Sequence, residues 1–279
     1  MTLTTQHFGV NIPVLGFGTW QLKGDDAHRC VEAALNAGYR HIDTAQAYEN
    51  EQFVGRGLRD SGLKRNDYFL TTKVWTSAFH EDDLQESVRQ SLSRLGVDDV
   101  DLLLLHWPND EVPLEETITA LNDARDLGLT RHIGVSNFPS AQFDEAVKLS
   151  RAPILCNQVE YHPMIDQSVL LENANAHGSA LTAYCPLAQG KVFQNETIRD
   201  IAERHGKSPA QIVMRWFIQQ PNVIAIPRSS SEAHIQSNND IHDFALEPDD
   251  MARITELKSL NQRIVDPDFA PDWDMPLAA

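Results

Sequence analysis

The chain has 279 residues and a formal net charge of −17, with 23 Lys and Arg against 40 Asp and Glu. This acidic balance argues against nucleic acid or an anionic membrane surface as a partner. Hydrophobic residues make up 42% of the chain, which is enough for a sizeable core. No apolar run approaches the roughly 20 residues that a membrane-spanning helix needs, so we expect no membrane association.

The N-terminus and the cysteines bear on the cellular compartment. Residues 1–7 lack the basic and apolar regions of a secretory signal. Cys30, Cys156 and Cys185 are widely spaced in apolar contexts, which favours buried free thiols over disulfides or a metal site. We therefore expect a cytoplasmic protein without a bound metal. Neither heptads nor an exposed apolar stripe indicates an oligomer, so we expect a monomer.

The N-terminal region predicts a hairpin, the first strand of a larger sheet and a helix. Two short runs flank residues 9–11 and predict a small hairpin. A strand is expected from Val14 to Trp20, and Gly16 and Gly18 near its end would allow a ligand to approach the backbone. Asp25 is expected to cap the first helix.

Strands and amphipathic helices alternate along the rest of the chain. Apolar residues at helical spacing between 84 and 95 predict one of these helices. Ser, Pro and Gln in the segment 208–211 form a capping-box helix start, and a last helix is expected over residues 248–259. The predicted strands after the first are 41–44, 68–75, 101–107, 131–136, 154–160, 181–185 and 223–227.

The alternation predicts an α/β fold. About eight β/α units without a linker or low-complexity tract indicate one domain over residues 1–279, a closed (β/α)8 TIM barrel with a short N-terminal hairpin and a C-terminal helix and tail. An open doubly wound sheet is the alternative, but no Gly-x-Gly-x-x-Gly follows any predicted strand.

Polar side chains occur at the ends of three of the apolar strands, where burial in a hydrophobic core would not favour them. Asp43 lies near the end of the second strand and Tyr48 follows it, while Lys73 and His106 lie near the ends of the third and fourth strands. Active sites of parallel barrels are built at this face. Taken singly, Asp43 and Lys73 also fit a structural ion pair, and His106 fits a satisfied core histidine. The four together predict an acid/base site.

Several segments resemble the signature segments of the aldo-keto reductase family, in the family's order and over nearly the whole chain. They are Gly-Tyr-Arg-His-Ile-Asp-Thr-Ala (38–45) with Tyr48, Thr-Thr-Lys-Val-Trp (71–75), Leu-Leu-Leu-His-Trp-Pro (103–108), Gly-Val-Ser-Asn-Phe (134–138), Asn-Gln-Val-Glu-Tyr-His-Pro (157–163) and Ile-Pro-Arg-Ser (226–229). The segment 263–274 resembles the ending of the small bacterial 2,5-diketo-D-gluconate reductases of the B type, a branch also described as methylglyoxal reductases. The resemblance implies a barrel enzyme that reduces carbonyl groups.

By this resemblance Asp43, Tyr48, Lys73 and His106 form a catalytic tetrad. The oxygen that becomes an alkoxide needs a proton, which Tyr48 is expected to donate although an isolated phenol has a pKa of about 10. Lys73 at ~4 Å is expected to favour the phenolate by up to ~4 kcal/mol at an effective dielectric of about 20, which lowers the pKa of Tyr48. Asp43 would keep Lys73 charged, and His106 would hydrogen-bond the substrate carbonyl.

A nicotinamide cofactor is expected because no side chain of a protein can carry a hydride. The resemblance implies that Ser136, Asn137 and Gln158 hold the nicotinamide carboxamide and that Tyr184 stacks on the ring. The other implied cofactor contacts are Gly18, Thr19, Trp20, Asp43, Pro186, Leu187, Gln189, Gly190 and Asn238, with the four from 186 to 190 along the pyrophosphate.

The residues expected at the 2′-phosphate depart from the family pattern, which is a lysine, a serine and a later arginine. This chain has Arg228, Ser229 and His234. Arg228 keeps a fork for the phosphate, but His234 gives up a permanent charge. The resemblance therefore implies NADPH as the cofactor, with NADH tolerated.

Aromatic residues are expected to wall the substrate pocket. Trp20, Trp75 and Trp107 follow strands on the same barrel face, and Trp273 in the C-terminal tail would form a lid. The loop after His106 is short, which favours an open pocket for small polar carbonyls. The resemblance implies substrates such as methylglyoxal or diketo sugar acids. The expected substrate contacts are Trp20, Tyr48, Trp75, His106, Trp107 and Trp273.

Two other functions remain open from the sequence. Lys73 could form a Schiff base with a carbonyl substrate, as in an aldolase, although Tyr184 and Arg228 would then have no role. The chain could also be a non-catalytic NADPH-binding subunit, since some members of the family associate with channels. The complete tetrad argues against this second function.

Overall fold

An antiparallel hairpin precedes the main sheet. The computed structural model describes residues 2–275, and its first two strands, β1 (Thr4–His7) and β2 (Val10–Pro13), pair antiparallel. Phe8 and Gly9 between them have positive φ angles of 50° and 83°, as the central residues of a type I′ turn require. The predicted hairpin is confirmed.

Eight parallel strands form a closed barrel after the hairpin. They are β3 (Phe17–Gly18), β4 (His41–Asp43), β5 (Phe69–Val74), β6 (Val100–Leu105), β7 (Thr130–Ser136), β8 (Ile154–Glu160), β9 (Ala180–Tyr184) and β10 (Val223–Ala225). Each strand pairs with the next in chain order. The ends of the sheet meet where Gly16 N–H donates to Ala225 O at 2.8 Å and Ala225 N–H donates to Val14 O at 2.9 Å. The predicted TIM barrel is confirmed.

Helices between the strands cover the outside of the barrel. Over residues 2–275 they are α1 (Gly24–Asn36), α2 (Glu51–Asp60), α3 (Glu81–Leu95), α4 (Leu114–Asp126), α5 (Ser140–Leu149), α6 (Ser168–Ala176), α7 (Glu196–His205), α8 (Pro209–Ile218), α9 (Glu232–Asn239) and α10 (Pro248–Glu256). The apolar residues predicted on α3 are buried, and Ser208 caps α8 in the predicted capping box with Gln211. No helix in this range is long and apolar enough to cross a membrane.

Most predicted strand ends are shifted by one or two residues, and three further differences are larger or change the role of a residue. The first barrel strand has regular pairing only at Phe17–Gly18, because the preceding residues bend to close the barrel. Helix α1 begins at Gly24, so Asp25 lies in its first turn and does not cap it. The last helix ends at Glu256 and continues as a 3-10 turn over Leu257–Leu260.

The glycines near β3 serve the closure of the barrel. A Cβ atom on Gly16 would lie 2.9 Å from the His41 ring, and one on Gly18 would lie 2.9 Å from the carbonyl oxygen of Ile226. Only glycine lets the first and last strands approach this closely. These two positions therefore have a packing reason that is independent of any ligand.

The cysteines are free thiols in the structure. Cys30 and Cys156 are buried as predicted, whereas Cys185 is partly exposed at the end of β9. Burial raises the pKa of Cys156 to about 12, which leaves it unreactive at neutral pH. Within the described residues, no group of three or more His, Cys, Asp or Glu side chains could hold a metal ion.

Candidate active site

The ends of β4, β5 and β6 bring the four predicted catalytic side chains to one face of the barrel. Asp43 and Lys73 lie in β4 and β5, and His106 directly follows β6. Tyr48 ends a 3-10 turn that begins at Gln46. Because parallel strands deliver their carboxyl ends to the same face, residues far apart in sequence meet here.

A buried asparagine shapes the loop that carries Tyr48. Asn50 is fully buried and accepts a hydrogen bond from Thr44 Oγ1 at 2.9 Å. Its Nδ2 donates to the carbonyl oxygens of Thr19 and Leu22, each at 2.9 Å. Asn50 therefore ties the Tyr48 loop to the loop that follows β3.

Lys73 lies between Asp43 and Tyr48. Its Nζ donates to Asp43 Oδ1 at 2.6 Å, to Thr44 O at 2.9 Å and to Tyr48 Oη at 3.3 Å. The side chain is fully buried, so all three ammonium protons have protein partners. Burial lowers the pKa of Lys73, but Asp43 and Tyr48 outweigh it, and the pKa stands above its usual value. Lys73 is therefore a cation in contact with the phenol.

The pKa of Tyr48 shifts in the direction opposite to the sequence prediction. Burial raises it, and the attraction of Lys73 offsets only part of this increase. The prediction considered the Lys73 charge and left out the cost of placing a phenolate in a poorly solvated site. Tyr48 is therefore firmly protonated before any substrate arrives.

His106 is neutral and incompletely hydrogen-bonded. Burial, assisted by the Lys73 charge, holds the pKa of His106 well below its usual value. Its backbone is fixed by a hydrogen bond from Asn137 Nδ2 to its carbonyl oxygen at 2.9 Å. Within residues 2–275, no group hydrogen-bonds the buried Nδ1. His106 is therefore not a satisfied core histidine, and its ring meets Tyr48 edge-on with centroids 5.6 Å apart.

The predicted carboxamide-binding residues form one cluster at the ends of β7 and β8. Ser136 Oγ donates to Gln158 O at 2.8 Å, and Asn137 has a left-handed backbone with φ of 63°. Tyr184 Oη donates to Asn137 Oδ1 at 2.8 Å. Gln158 Nε2 donates to Asp43 Oδ2 at 2.7 Å, which joins this cluster to the catalytic residues.

The loop predicted to follow the pyrophosphate has unusual backbone geometry. Cys185, Ala188, Gln189 and Gly190 have φ angles of 54°, 48°, 51° and 94°. Left-handed residues other than glycine cost free energy and concentrate at ligand sites. Pro186 is buried, Leu187 half-buried and Gln189 exposed.

The predicted 2′-phosphate residues lie on the β10–α9 loop and on α9. Arg228 is exposed and donates through Nε to Trp20 O at 3.1 Å, whereas Ser229 is buried. His234 is exposed in the first turn of α9, and Asn238 is buried further along the helix. The structure brings Arg228 against the loop that carries Gly18, Thr19 and Trp20.

Aromatic side chains line the mouth of the site, and one of them was not predicted. Phe269, which is 55% exposed, meets Trp75 and Trp107 edge-on with centroids 5.8 and 5.4 Å away. Trp273 meets Trp107 at 6.1 Å. Trp20 is 44% exposed in the loop after β3. Phe269 lies in a proline-rich tail without periodicity, so no sequence signal marked it.

Two carboxylates fasten the tail that carries Phe269. Glu160 is fully buried and accepts from Ile264 N–H at 2.7 Å and from Val265 N–H at 2.8 Å. Asp274 accepts from the Ser140 N–H at 2.9 Å, at the start of α5. Glu160 ends a predicted apolar strand, and this placement was the signal that could have identified it.

The family and its relatives agree with the resemblance of the sequence. A model of the Aldo/keto reductase family matches residues 14–259. The methylglyoxal reductase DkgB of Yersinia pestis is 41% identical over 269 residues, which cover 95% of this chain and 100% of the relative. An aldo-keto reductase of Mycolicibacterium smegmatis is 42% identical over 256 residues, with coverages of 91% and 93%.

Solved structures have the same fold. A crystal structure provisionally assigned as a 2,5-diketo-D-gluconic acid reductase B is 47% identical, with a TM-score of 0.96 and coverages of 99% of this chain and 98% of that chain. An aldo-keto reductase of Bombyx mori in complex with NADP is 32% identical, with a TM-score of 0.88 and coverages of 95% of both chains.

Proposed function

This chain belongs to the aldo/keto reductase family, and we propose that it reduces small aldehydes and ketones to alcohols with NADPH, using Tyr48 as the proton donor. The observation that carries the proposal is the placement of Lys73 between Asp43 and Tyr48, beside a neutral His106. A structural ion pair would explain Asp43 and Lys73. It would not explain the phenol of Tyr48 beside Lys73 or the unpartnered imidazole of His106.

The residues expected to hold the cofactor fit a nicotinamide dinucleotide. Ser136, Asn137 and Gln158 gather amide and hydroxyl groups at the ends of two adjacent strands. The left-handed backbone at 188–190 suits a loop that approaches a phosphate chain. When bound, such a cofactor supplies the hydride that no side chain can provide.

Tyr48 and Lys73 have separate roles in the protonation of the substrate oxygen. Because burial raises the pKa of Tyr48, the phenol keeps its proton until an alkoxide forms beside it. Once the proton has left, Lys73 at 3.3 Å stabilises the phenolate. At this distance and an effective dielectric of about 20 the attraction is worth about 5 kcal/mol. Asp43 keeps Lys73 charged and aimed at the phenol.

His106 orients the carbonyl group. A neutral imidazole has one N–H donor and one acceptor. Nδ1 is buried without a partner in either tautomer, and an unsatisfied buried N–H is less favourable than an unsatisfied lone pair, so we assign the proton to Nε2. Nε2–H then donates to the substrate oxygen, and this holds the carbonyl carbon in place for the hydride.

The substrate class follows from the mouth of the site and from the relatives. Trp20, Trp75, Trp107 and Phe269 leave an aromatic opening that suits small carbonyl compounds. The Yersinia pestis relative is a methylglyoxal reductase. The crystal structure with a TM-score of 0.96 is provisionally assigned as a 2,5-diketo-D-gluconic acid reductase B. Methylglyoxal and diketo sugar acids are therefore the substrates we propose.

NADPH is the proposed cofactor, with NADH tolerated. Arg228 uses Nε on Trp20 O, which leaves its two terminal nitrogens for a phosphate. Ser229 adds a hydroxyl, but the exposed His234 does not supply the permanent charge of an arginine.

The test is a panel of small aldehydes and ketones assayed with NADPH and with NADH, for the wild-type protein and for Tyr48→Phe. Removing the proton donor should reduce turnover by at least ~10²-fold while leaving the Kd for NADPH near the wild-type value. Tyr68→Phe is the matched control, because Tyr68 precedes β5 at the opposite end of the barrel. Full activity of Tyr48→Phe would refute its role.

The carbonyl panel and a trapping experiment together distinguish the rival functions. A Schiff base needs an accessible, neutral amine, whereas Lys73 is fully buried with a raised pKa and three acceptors. Borohydride trapping of a substrate on Lys73 would support the aldolase alternative. Tight NADPH binding without turnover across the panel would support a non-catalytic subunit.

A further inference from the structure

The carboxylate of Asp43 is held from two sides. Its Oδ1 accepts from Lys73 Nζ at 2.6 Å, and its Oδ2 accepts from Gln158 Nε2 at 2.7 Å. Asp43 and Gln158 are 1% and 2% exposed, so neither bond competes with bulk water. The proposed acid/base chemistry uses the bond to Lys73, but it assigns no role to the bond from Gln158.

The orientation of the Gln158 amide is determined by its partner. An ionised carboxylate only accepts hydrogen bonds, so Gln158 must present its nitrogen to Asp43. This leaves Oε1 as the atom that can accept from another group. The backbone of Gln158 is fixed in β8, where its carbonyl oxygen accepts from Ser136 Oγ at 2.8 Å and from Asn137 N–H at 2.9 Å.

We propose that Gln158 is a positioning residue that links cofactor binding to the acid/base pair. With a cofactor bound, Gln158 Oε1 would be the acceptor available to the nicotinamide carboxamide, while Nε2 aims the Asp43 carboxylate at Lys73. This inference rests on the proposed function, which supplies the cofactor. Gln158 would then be held on both sides of its amide, and its bond to Asp43 would keep that carboxylate in place while the proton moves.

The consequence for catalysis passes through Lys73. Without the bond from Gln158, Asp43 Oδ2 is a buried acceptor without a donor, and the carboxylate can rotate about its Cβ–Cγ bond. Such a rotation displaces Lys73, whose bond to Tyr48 is its longest, at 3.3 Å against 2.6 and 2.9 Å for the other two. The lysine is then less able to stabilise the phenolate.

The type of side chain at position 158 matters for this reason. Methionine matches the length and volume of glutamine without a donor for Asp43. Glutamate keeps the shape but places a carboxylate against a carboxylate, which is unfavourable unless a proton is shared. Only a neutral side chain with a donor and an acceptor satisfies both neighbours.

A double-mutant cycle tests the link. We compare wild type, Gln158→Met, Asp43→Asn and the double variant, with melting curves to confirm folding. The readouts are the Kd for NADPH, by fluorescence quenching, and the single-turnover rate of NADPH oxidation at saturating cofactor and methylglyoxal. Tyr184→Phe, alone and with Asp43→Asn, is the control, since Tyr184 contacts Asn137 and not Asp43.

If Gln158 acts through Asp43, the two changes are not independent. We expect Gln158→Met to lower the single-turnover rate about tenfold, the scale of one charge-assisted hydrogen bond. In the Asp43→Asn background the same change should cost less than about threefold. Tyr184→Phe should cost the same factor in both backgrounds. Gln158→Glu should recover activity as the pH is lowered, because a protonated glutamate can donate to Asp43.

Two outcomes would overturn the inference. If Gln158→Met lowers the single-turnover rate by the same factor in the wild-type and Asp43→Asn backgrounds, Gln158 is a cofactor contact only. An increase in the Kd for NADPH without any loss in the saturated rate would have the same meaning. If the wild-type protein does not reduce any carbonyl compound, the proposed function fails. The Kd values for NADPH of the four proteins in the double-mutant cycle would then still decide whether Gln158 and Asp43 are coupled.

Discussion

Glu160 offers a sharp test of how the C-terminal tail forms the mouth of the site. Oε1 of this buried carboxylate accepts from His162 Nε2 at 2.9 Å and from Ile264 N–H at 2.7 Å. Its Oε2 accepts from Val265 N–H at 2.8 Å. Glu160→Gln keeps the shape but turns one oxygen into an NH2 group. That group must then face a backbone N–H or the His162 ring.

The expected magnitude follows from these contacts. The variant loses one charge-assisted hydrogen bond, worth about 1.5–3 kcal/mol, and it leaves a backbone donor without an acceptor. A loss of this size shifts the equilibrium between attached and released tail by roughly tenfold to a hundredfold. Phe269 then spends less time against Trp75 and Trp107, so the aromatic mouth is less complete.

The assay compares a small and a bulky aldehyde under steady-state conditions. For Glu160→Gln we expect the KM for methylglyoxal to rise about tenfold, with kcat changing much less, because the tail shapes binding and does not take part in proton transfer. The KM for the bulky aldehyde should rise less, because the opening of the site is wider when the tail is released. Phe269→Ala should reproduce this pattern, and Glu172→Gln, at an exposed position on α6, is the control.

The result that would refute this reasoning is specific. If Glu160→Gln matches wild type in both KM values and in susceptibility of the tail to limited proteolysis, the carboxylate does not hold the tail. If it lowers the melting temperature without changing KM, Glu160 supports the barrel and other contacts fasten the tail, among them Asp274 with Ser140 and Gln262 N–H with Met164 O.

Three further predictions concern the acid/base site and the cofactor. Because burial raises the pKa of Tyr48, reduction should keep its rate as the pH rises and decline only above about 10, the value of a free phenol; a decline centred near neutral pH in a pH–rate profile would contradict this. Lys73→Met leaves the Asp43 charge buried and unpaired, which should destabilise the fold by about 3–5 kcal/mol and abolish turnover. Asp43→Asn should lower the free energy of unfolding and the turnover rate by less than Lys73→Met does, as measured by chemical denaturation and by kinetics. A larger loss for Asp43→Asn than for Lys73→Met would contradict the assigned roles. His234→Arg should tighten NADPH by roughly tenfold to a hundredfold and leave NADH nearly unchanged in fluorescence titrations; equal effects on both cofactors would show that position 234 does not face the phosphate.

The amino-acid sequence by itself determined the order of strands and helices and the face on which the site lies. These features depend on local patterns, because burial of one face gives period 2 in a strand and 3.6 in a helix. Asp43, Lys73 and His106 could be placed together without coordinates, since each ends an apolar strand and parallel strands end on one face. The capping box at Ser208 was predictable for the same reason, as all its groups lie within four residues.

Tertiary structure decided the features that depend on residues distant in sequence. The hydrogen bond from Gln158 to Asp43 joins residues 115 positions apart, and no pattern in either strand specifies it. The direction of the Tyr48 pKa shift required the burial around the phenol as well as the nearby charge. Phe269 reaches the site only because Glu160, more than a hundred residues earlier, binds the backbone of the tail. A backbone N–H is present at almost every position, so the sequence carries no mark of which one a buried carboxylate will bind.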